Sequence, residues 1–188
     1  DAGRATCNLV PAPEMYAAAD NTDCLTQDLE GAKALLEEAG WTDSNGDGIR
    51  DKMIDGTLKK FEFTLIVTQA PDRVQLASLM RESLDRIGIV CNVKPLEGAV
   101  QVKNLQDRTF EAGFAGWGAG TEPDFTENIF GTNADRNAGY FSSPDVDALY
   151  AAGRKEFDRE KRGQIYGKIH NVIYEAQPYT FLYRRSGF

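Results

Sequence analysis

Five stretches of the chain space their apolar residues as an amphipathic helix does, and they predict the helices of the fold. Their expected bounds are residues 27–39, 71–87, 99–107, 144–155 and 159–177. The first has Thr26 as a candidate N-cap, Gly40 at the position that favours a left-handed residue, and Trp41 folding back as an apolar contact. Gly88 ends the second helix in the same way.

Four apolar segments between these helices predict strands at residues 61–68, 89–96, 111–118 and 179–184. In the first, Phe61, Phe63, Leu65 and Val67 should share one face. Strand 61–68, helix 71–87 and strand 89–96 have the lengths of a βαβ crossover, which implies parallel pairing. The sequence therefore predicts an α/β domain with a mixed, mostly parallel sheet flanked by helices.

The loop after the first helix has the spacing of a calcium-binding loop. Counting from Asp43, the ligand positions fall on the side chains of Asp43, Asn45, Asp47 and Asp51 and on the carbonyl of Ile49. The twelfth position, where a bidentate glutamate belongs, is Ile54. The same residues also suit a polar turn without metal, and the sequence leaves both interpretations open. A calcium ion here would be structural and bound weakly.

Charge and cysteine content narrow the classes of function. The net charge is −8, from 21 basic and 29 acidic residues, which argues against nucleic acid as a partner. No apolar run is long enough for a membrane helix. Cys7 and Cys24 enclose 16 residues of a loop-rich arm, residues 1–25, and a disulfide there would add about 3 kcal/mol and indicate an extracytoplasmic protein. Two free thiols are the alternative. Cys91 falls in a strand pattern and is expected to be a buried apolar residue.

Catalytic motifs are missing from the sequence. There is no nucleophile elbow, phosphate loop or zinc-binding pattern, and the single histidine, His170, is expected at the surface or boundary of a helix. A hydrolase that uses Glu122 or Asp124 is the least favoured interpretation.

The segment from Gly116 to Asp147 is the best candidate for a ligand site. Its glycines allow a ligand to approach the backbone, and its aromatic and polar side chains suit a small-molecule or peptide pocket. The candidate ligand-binding residues are Gly116, Trp117, Gly118, Gly120, Thr121, Glu122, Asp124, Arg136, Asn137 and Tyr140. The alternative is a long surface loop whose aromatic residues pack back on the domain.

The order of these motifs resembles the family 5 extracellular solute-binding proteins, the peptide, dipeptide and nickel receptors of ABC importers. The resemblance rests on AKALLEEAGW with NGDGIRD, then FEFTLIVT, RVQLASLMRESLDRIGI, FEAGFAGWG, NAGYFSSPDVDALY and the last helix with its strand, and it covers residues 25–185. It implies that residues 26–188 form the C-terminal lobe of a two-lobed receptor whose other lobe is absent from this sequence.

The resemblance also implies a ligand and partners. The expected ligand is a peptide or another small solute, the expected partners are ABC permease subunits in the full-length protein, and no catalysis is expected. The location would be periplasmic or extracytoplasmic, with lipid anchoring through a missing N-terminal segment as one option. In peptide-binding members an Asp after the Gly-Trp strand pairs with the peptide amino terminus. That position is Gly120 here, and Glu122 and Asp124 are the candidates to replace it.

Overall fold

The computed structural model describes residues 4–5, 26–118 and 122–184, which fall into two units by their internal contacts. One unit is residues 26–116, and the other begins at residue 117 and includes residues 4–5. The helices of the first unit are α1 (Leu29–Glu38), α2 (Pro71–Asp85) and α3 (Gly98–Asp107). Its strands are β2 (Asp51–Ile54), β3 (Thr57–Lys60), β4 (Glu62–Thr68), β5 (Val90–Leu96) and β6 (Ala112–Gly113). The second unit contains β1 (Arg4–Ala5), a 3₁₀ turn (Pro123–Thr126), α4 (Glu127–Phe130), α5 (Pro144–Gly153), α6 (Arg159–Ala176) and β7 (Tyr183–Arg184).

A three-stranded parallel sheet with β4 at its centre organises the first unit. β4 pairs with β5 over its whole length and with β6 at Leu65 and Ile66, so the order is β5-β4-β6. The βαβ prediction is confirmed, with α2 as the crossover helix. Leu65, Ile66 and Val67 are all buried, so the face of β4 opposite Leu65 and Val67 is covered as well. A central parallel strand loses its polar face when both faces are covered.

The first helix is shorter than predicted, and its N-cap is Asp28 rather than Thr26. The Asp28 carboxylate accepts the backbone N–H of Gly31 at 2.9 Å. The C-terminal prediction is confirmed: Gly40 has φ +82° and the Trp41 N–H donates to the Leu36 carbonyl at 2.8 Å. No residue of α1 is fully buried.

A β-hairpin between the acidic loop and β4 is absent from the sequence prediction. β2 and β3 pair antiparallel, with Asp51 opposite Lys60 and Met53 opposite Leu58. Asp55 (φ +51°) and Gly56 (φ +74°) form the two-residue turn. This Asp-Gly pair is the standard signal for such a turn.

The second unit is built on the packing of α5 against α6. Ser143 caps α5 by accepting the Val146 N–H at 3.3 Å, and Asp158 caps α6 by accepting the Lys161 N–H at 3.0 Å, as predicted. The core lies mainly between these helices and α4. Its buried members are Ile129, Phe130, Val146, Tyr150, Tyr166, Ile169 and Ile173.

Several sequence predictions need correction or fall outside the described residues. The strand expected at 111–118 is only β6, and the strand expected at 179–184 is only β7, which pairs antiparallel with β1. His170 is 2% exposed instead of lying at the surface, and Cys91 is buried as predicted. The predicted Cys7–Cys24 disulfide lies outside the described residues. The single lobe 26–188 stays a prediction.

Candidate functional site

Trp117, the first residue of the second unit, has two neighbours that fix its side chain. The guanidinium carbon of Arg136 lies 5.7 Å from the centre of its ring, within the range of a cation–π contact. Its side chain also hydrogen-bonds to Tyr179, and an indole N–H can only donate. Burial raises the pKa of Tyr179, and the bond from Trp117 partly opposes that rise. The indole is thus fixed while 37% of the residue stays exposed.

Glu122 and Asp124 share one arginine on α6. Arg162 places Nη1 2.8 Å from Glu122 Oε2 and Nη2 2.9 Å from Asp124 Oδ2. Its Nε donates to the Gly153 carbonyl at 3.2 Å, so each of the three guanidinium nitrogens donates a hydrogen bond. The Arg162 side chain is only 16% exposed. The two carboxylates therefore share a single positive charge.

The two acidic residues differ in what they present to solvent. The Tyr166 hydroxyl donates to Asp124 Oδ1, so both oxygens of that carboxylate have protein partners. The Glu122 side chain is 61% exposed and bonds Arg162 through Oε2. Of the two residues that could replace the missing aspartate at Gly120, Glu122 is the more accessible.

Asn137 holds together the loop that follows α4. Its Nδ2 donates to the carbonyls of Gly131 (2.9 Å) and Phe141 (2.7 Å), and its Oδ1 accepts the Phe141 N–H at 3.1 Å. The residue is 2% exposed. The side chain thus closes residues 131–141 into a loop, and its predicted contact with a ligand stays a prediction.

Tyr140 lies inside the loop that Asn137 closes. Its backbone has φ +55°, an unusual conformation for a bulky residue, and 69% of the residue is exposed. The loop therefore presents an aromatic side chain to solvent from a strained backbone position.

The remaining predicted ligand residues lie elsewhere or outside the described chain. Gly116 is the last residue of the first unit, where a Cβ would lie 3.5 Å from the Arg73 guanidinium. Gly118 has open space around it. Gly120 and Thr121 lie outside the described residues.

Arg162, Tyr166 and Tyr179 contact the predicted site residues, and the sequence analysis did not single them out. Arg162 and Tyr166 are four residues apart on α6, and Tyr166 continues into the buried stripe with Ile169 and Ile173. An arginine one turn before the apolar stripe of a helix can indicate an acidic partner elsewhere in the sequence, because a partly buried cation needs a carboxylate.

The acidic loop of the first unit wraps its backbone around Asp43. Asp43 Oδ1 accepts the N–H groups of Gly46 (2.8 Å) and Asp47 (3.1 Å), and its Oδ2 accepts the Gly48 N–H at 2.9 Å. Gly46 and Gly48 have φ +76° and +85°. The glycines allow the tight path that these bonds require.

Asp47 pairs with a lysine from the hairpin. Its Oδ2 lies 2.6 Å from Lys60 Nζ, and its Oδ1 accepts the Ile49 N–H at 2.9 Å. The bond to Lys60 lowers the pKa of Asp47 and raises that of Lys60. Asn45 Oδ1 accepts the Asp47 N–H at 2.9 Å. Among the described residues, no three His, Cys, Asp or Glu side chains are grouped to hold a metal, so a calcium site is not shown.

Comparison with known proteins identifies the family. Residues 2–137 match the family described as "Bacterial extracellular solute-binding proteins, family 5 Middle". The chain belongs to this family. The predicted resemblance is confirmed.

Oligopeptide-binding protein AppA of Bacillus subtilis is 36% identical over 157 residues, which are 81% of this chain and 28% of AppA. The structure of AppA with a nonapeptide matches 97% of this chain and 37% of that chain, with a TM-score of 0.85 and 31% identity. NikZ of Campylobacter jejuni, in complex with Ni(L-His), matches 96% of this chain and 37% of that chain, with a TM-score of 0.78 and 25% identity.

These matches confirm the predicted fold class, an α/β lobe like those of periplasmic binding proteins. The chain spans about a third of the length of the relatives it matches. Within the part of the chain that the structure describes, no helix is both long and apolar enough to cross a membrane.

Proposed function

We propose that this chain is a ligand-binding part of the extracytoplasmic receptor of an ABC importer, that its ligand is a peptide, and that it catalyses no reaction. The observation that carries the proposal is the likeness to AppA in its nonapeptide complex, which extends over 97% of the chain. In such receptors two lobes close around the ligand, and the transporter recognises the closed form. Permease subunits are then the partners of the complete protein.

The fixed but accessible indole of Trp117 supports a ligand with apolar groups. A ring that already has Arg136 on its face and Tyr179 at its edge loses little side-chain entropy when a ligand packs against it. Gly118, which follows Trp117 in the same unit, is exposed and leaves its backbone open to an extended peptide. Trp117 is accordingly the residue on which we base the test.

Glu122 supports a ligand with a positively charged group. Glu122, Asp124 and Arg162 together carry one net negative charge, and Glu122 is the most exposed of the three. A peptide amino terminus would find a carboxylate there whose geometry is already set by Arg162. This assigns to Glu122 the role that an aspartate has in peptide-binding relatives.

A fluorescence titration tests the proposal directly, because the chain has only two tryptophans. In a Trp41→Phe variant, Trp117 is the only emitter. Peptides of different lengths should change its emission in a saturable way. The signal should weaken for N-acetylated peptides if Glu122 binds the amino terminus.

Alanine variants provide the matched control. Trp117→Ala should lower peptide affinity at least tenfold, as measured by calorimetry. Phe157→Ala should not, because Phe157 is an aromatic residue of the same unit that is 95% exposed and lies 40 positions after Trp117 in the sequence. Equal losses in both variants would contradict the proposal.

The proposal would be replaced if the same sensor responded to Ni(L-His) but to no peptide. That result would place the chain with receptors such as NikZ, whose structure contains this complex. Turnover of a peptide that disappears in Glu122→Ala or Asp124→Ala would favour the hydrolase alternative.

A further inference from the structure

Asp51 has a carboxylate oxygen whose environment is incomplete. The residue is 2% exposed, and its Oδ2 is the only buried side-chain oxygen or nitrogen in the described residues without a hydrogen-bond partner. Its backbone is fixed to Thr42 by two hydrogen bonds. A buried carboxylate oxygen without a donor is costly, and native structures usually place a water or an ion there.

The register of the hairpin shows which way Asp51 points. Asp51 lies directly opposite Lys60, and side chains of directly opposite residues share one face of an antiparallel pair. The Lys60 ammonium lies on the acidic loop, 2.6 Å from Asp47 Oδ2. Asp51 therefore faces the side of the hairpin on which the acidic loop lies.

The other potential metal ligands of the acidic loop are also oxygen atoms. Asp43, Asn45 and Asp47 supply side-chain oxygens from alternate positions, and Ile49 supplies a carbonyl. Oxygen-only sets of this kind suit hard cations, and an irregular arrangement with few carboxylates favours Ca²⁺ over Mg²⁺, which requires near-ideal octahedral geometry.

We propose that the loop from Asp43 to Asp51 binds one Ca²⁺ and that Asp51 Oδ2 is one of its ligands. The orphaned oxygen and the ligand spacing are independent observations, and neither depends on the receptor function proposed above. The ion ties the α1–β2 loop to the hairpin and stabilises residues 26–116. With Ile54 in place of a bidentate glutamate, the dissociation constant should be about 10⁻⁴–10⁻³ M, as in extracellular modules.

Lys60 would compete with the ion for the carboxylate of Asp47. Its ammonium bonds one oxygen of Asp47, and the three carboxylates are not grouped in this arrangement. Ion binding must then displace Lys60 from Asp47 and draw the carboxylates together. A Lys60→Met variant, which keeps the stem and removes the charge, should bind Ca²⁺ more tightly than the natural chain.

Calorimetry and thermal melts of the 188-residue chain test the proposal, with CaCl₂, MgCl₂ or a chelator present. Calcium should give a saturable heat and raise Tm by several degrees, whereas magnesium should do neither. Asp51→Asn should weaken Ca²⁺ binding at least tenfold. Asp55→Asn, which removes the same charge from the exposed turn of the same hairpin, should leave the affinity unchanged.

The melts in chelator give a second readout. There Asp51→Asn should melt at or above the natural chain, because an amide replaces an unpaired buried charge; in calcium the order should reverse. Absence of calcium heat in both the natural chain and Lys60→Met would overturn the proposal. Unchanged calcium affinity in Asp51→Asn would overturn the assignment of Asp51 as a ligand.

Discussion

Tyr140 combines a strained backbone with an exposed aromatic side chain. A φ of +55° brings the Cβ of an L-residue close to its following carbonyl, at a cost of about 1–2 kcal/mol. Asn133 has a similar φ of +60°, but asparagine adopts this conformation readily. Strain in an exposed loop residue is often retained for function, which agrees with the placement of Tyr140 in the proposed ligand loop.

Replacing Tyr140 by glycine should separate stability from binding. Tyr140→Gly should raise the free energy of unfolding by about 1 kcal/mol, because glycine adopts positive φ without strain. Urea titration measures this gain. Peptide affinity of the same variant should fall if the aromatic ring contacts the ligand.

Asn133→Gly is the matched control for Tyr140→Gly. Because asparagine pays little for its positive φ, this variant should change stability by no more than a few tenths of a kcal/mol. A loss of stability in Tyr140→Gly would mean that the side chain packs in a way that outweighs the backbone strain.

At the scale of elements, the crossing of α5 and α6 depends on one glycine. A Cβ added to Gly153 would lie 2.9 Å from the ring and hydroxyl of Tyr166. Tyr166 cannot easily retreat, because it is 2% exposed and its hydroxyl donates to Asp124. The close approach of the two helices and the position of Asp124 therefore depend on the same contact.

Two glycine-to-alanine changes in this helix pair should have opposite signs. Gly153→Ala should destabilise the chain by about 1–3 kcal/mol through overpacking. Gly167→Ala, on α6 with no atom within 4 Å of the new Cβ, should stabilise it by about 0.5–1 kcal/mol. Thermal melts of both variants provide the measurement, and stabilisation by Gly153→Ala would contradict the packing described.

The sequence predicts elements best where local chemistry determines them. Gly40, Gly88, Ser143 and Asp158 end or begin helices as expected, because left-handed φ and side-chain capping are decided within a few residues. The hairpin is absent from the prediction because its Asp-Gly turn, residues 55–56, directly follows the acidic segment, which was interpreted as either a calcium loop or a polar turn.

Strand lengths and the surroundings of the candidate site depend on distant residues. β6 and β7 contain two residues each, and β6 is short although its partner β4 has seven residues, so the length of these strands is not decided by the local sequence. Asp124 meets Arg162 and Tyr166 across 38 and 42 positions of sequence, and no local pattern encodes that pairing. The sequence could therefore nominate Glu122 and Asp124 but could not show that an arginine holds both.

At the scale of the whole molecule, His170 is the one side chain whose ordinary pKa lies just below neutral pH. His170 is the only histidine of the chain, it is buried, and it stacks on Tyr174 with ring centres 5.8 Å apart. Desolvation lowers its pKa below the ordinary value of 6.5.

Stability should fall as the pH drops below about 6.5. The unfolded chain then protonates His170 while the folded chain resists, so the free energy of unfolding decreases until the folded pKa is passed. Above that range His170 contributes no pH dependence. Urea titrations between about pH 7.5 and 5.5 should show this slope, and it should flatten in His170→Gln. Parallel curves for the two proteins would contradict the prediction.

The arginine on α6 that holds Glu122 and Asp124 has an evolutionary and an engineering consequence. Residues 122–141, which belong to the proposed ligand site, cannot be transferred by themselves, because Glu122 and Asp124 are held in place by a helix that begins more than thirty positions later. Grafting residues 122–141 onto another receptor would bring two carboxylates without their cation. In descendants of this protein, changes at Asp124, Arg162 and Tyr166 should be inherited as a group.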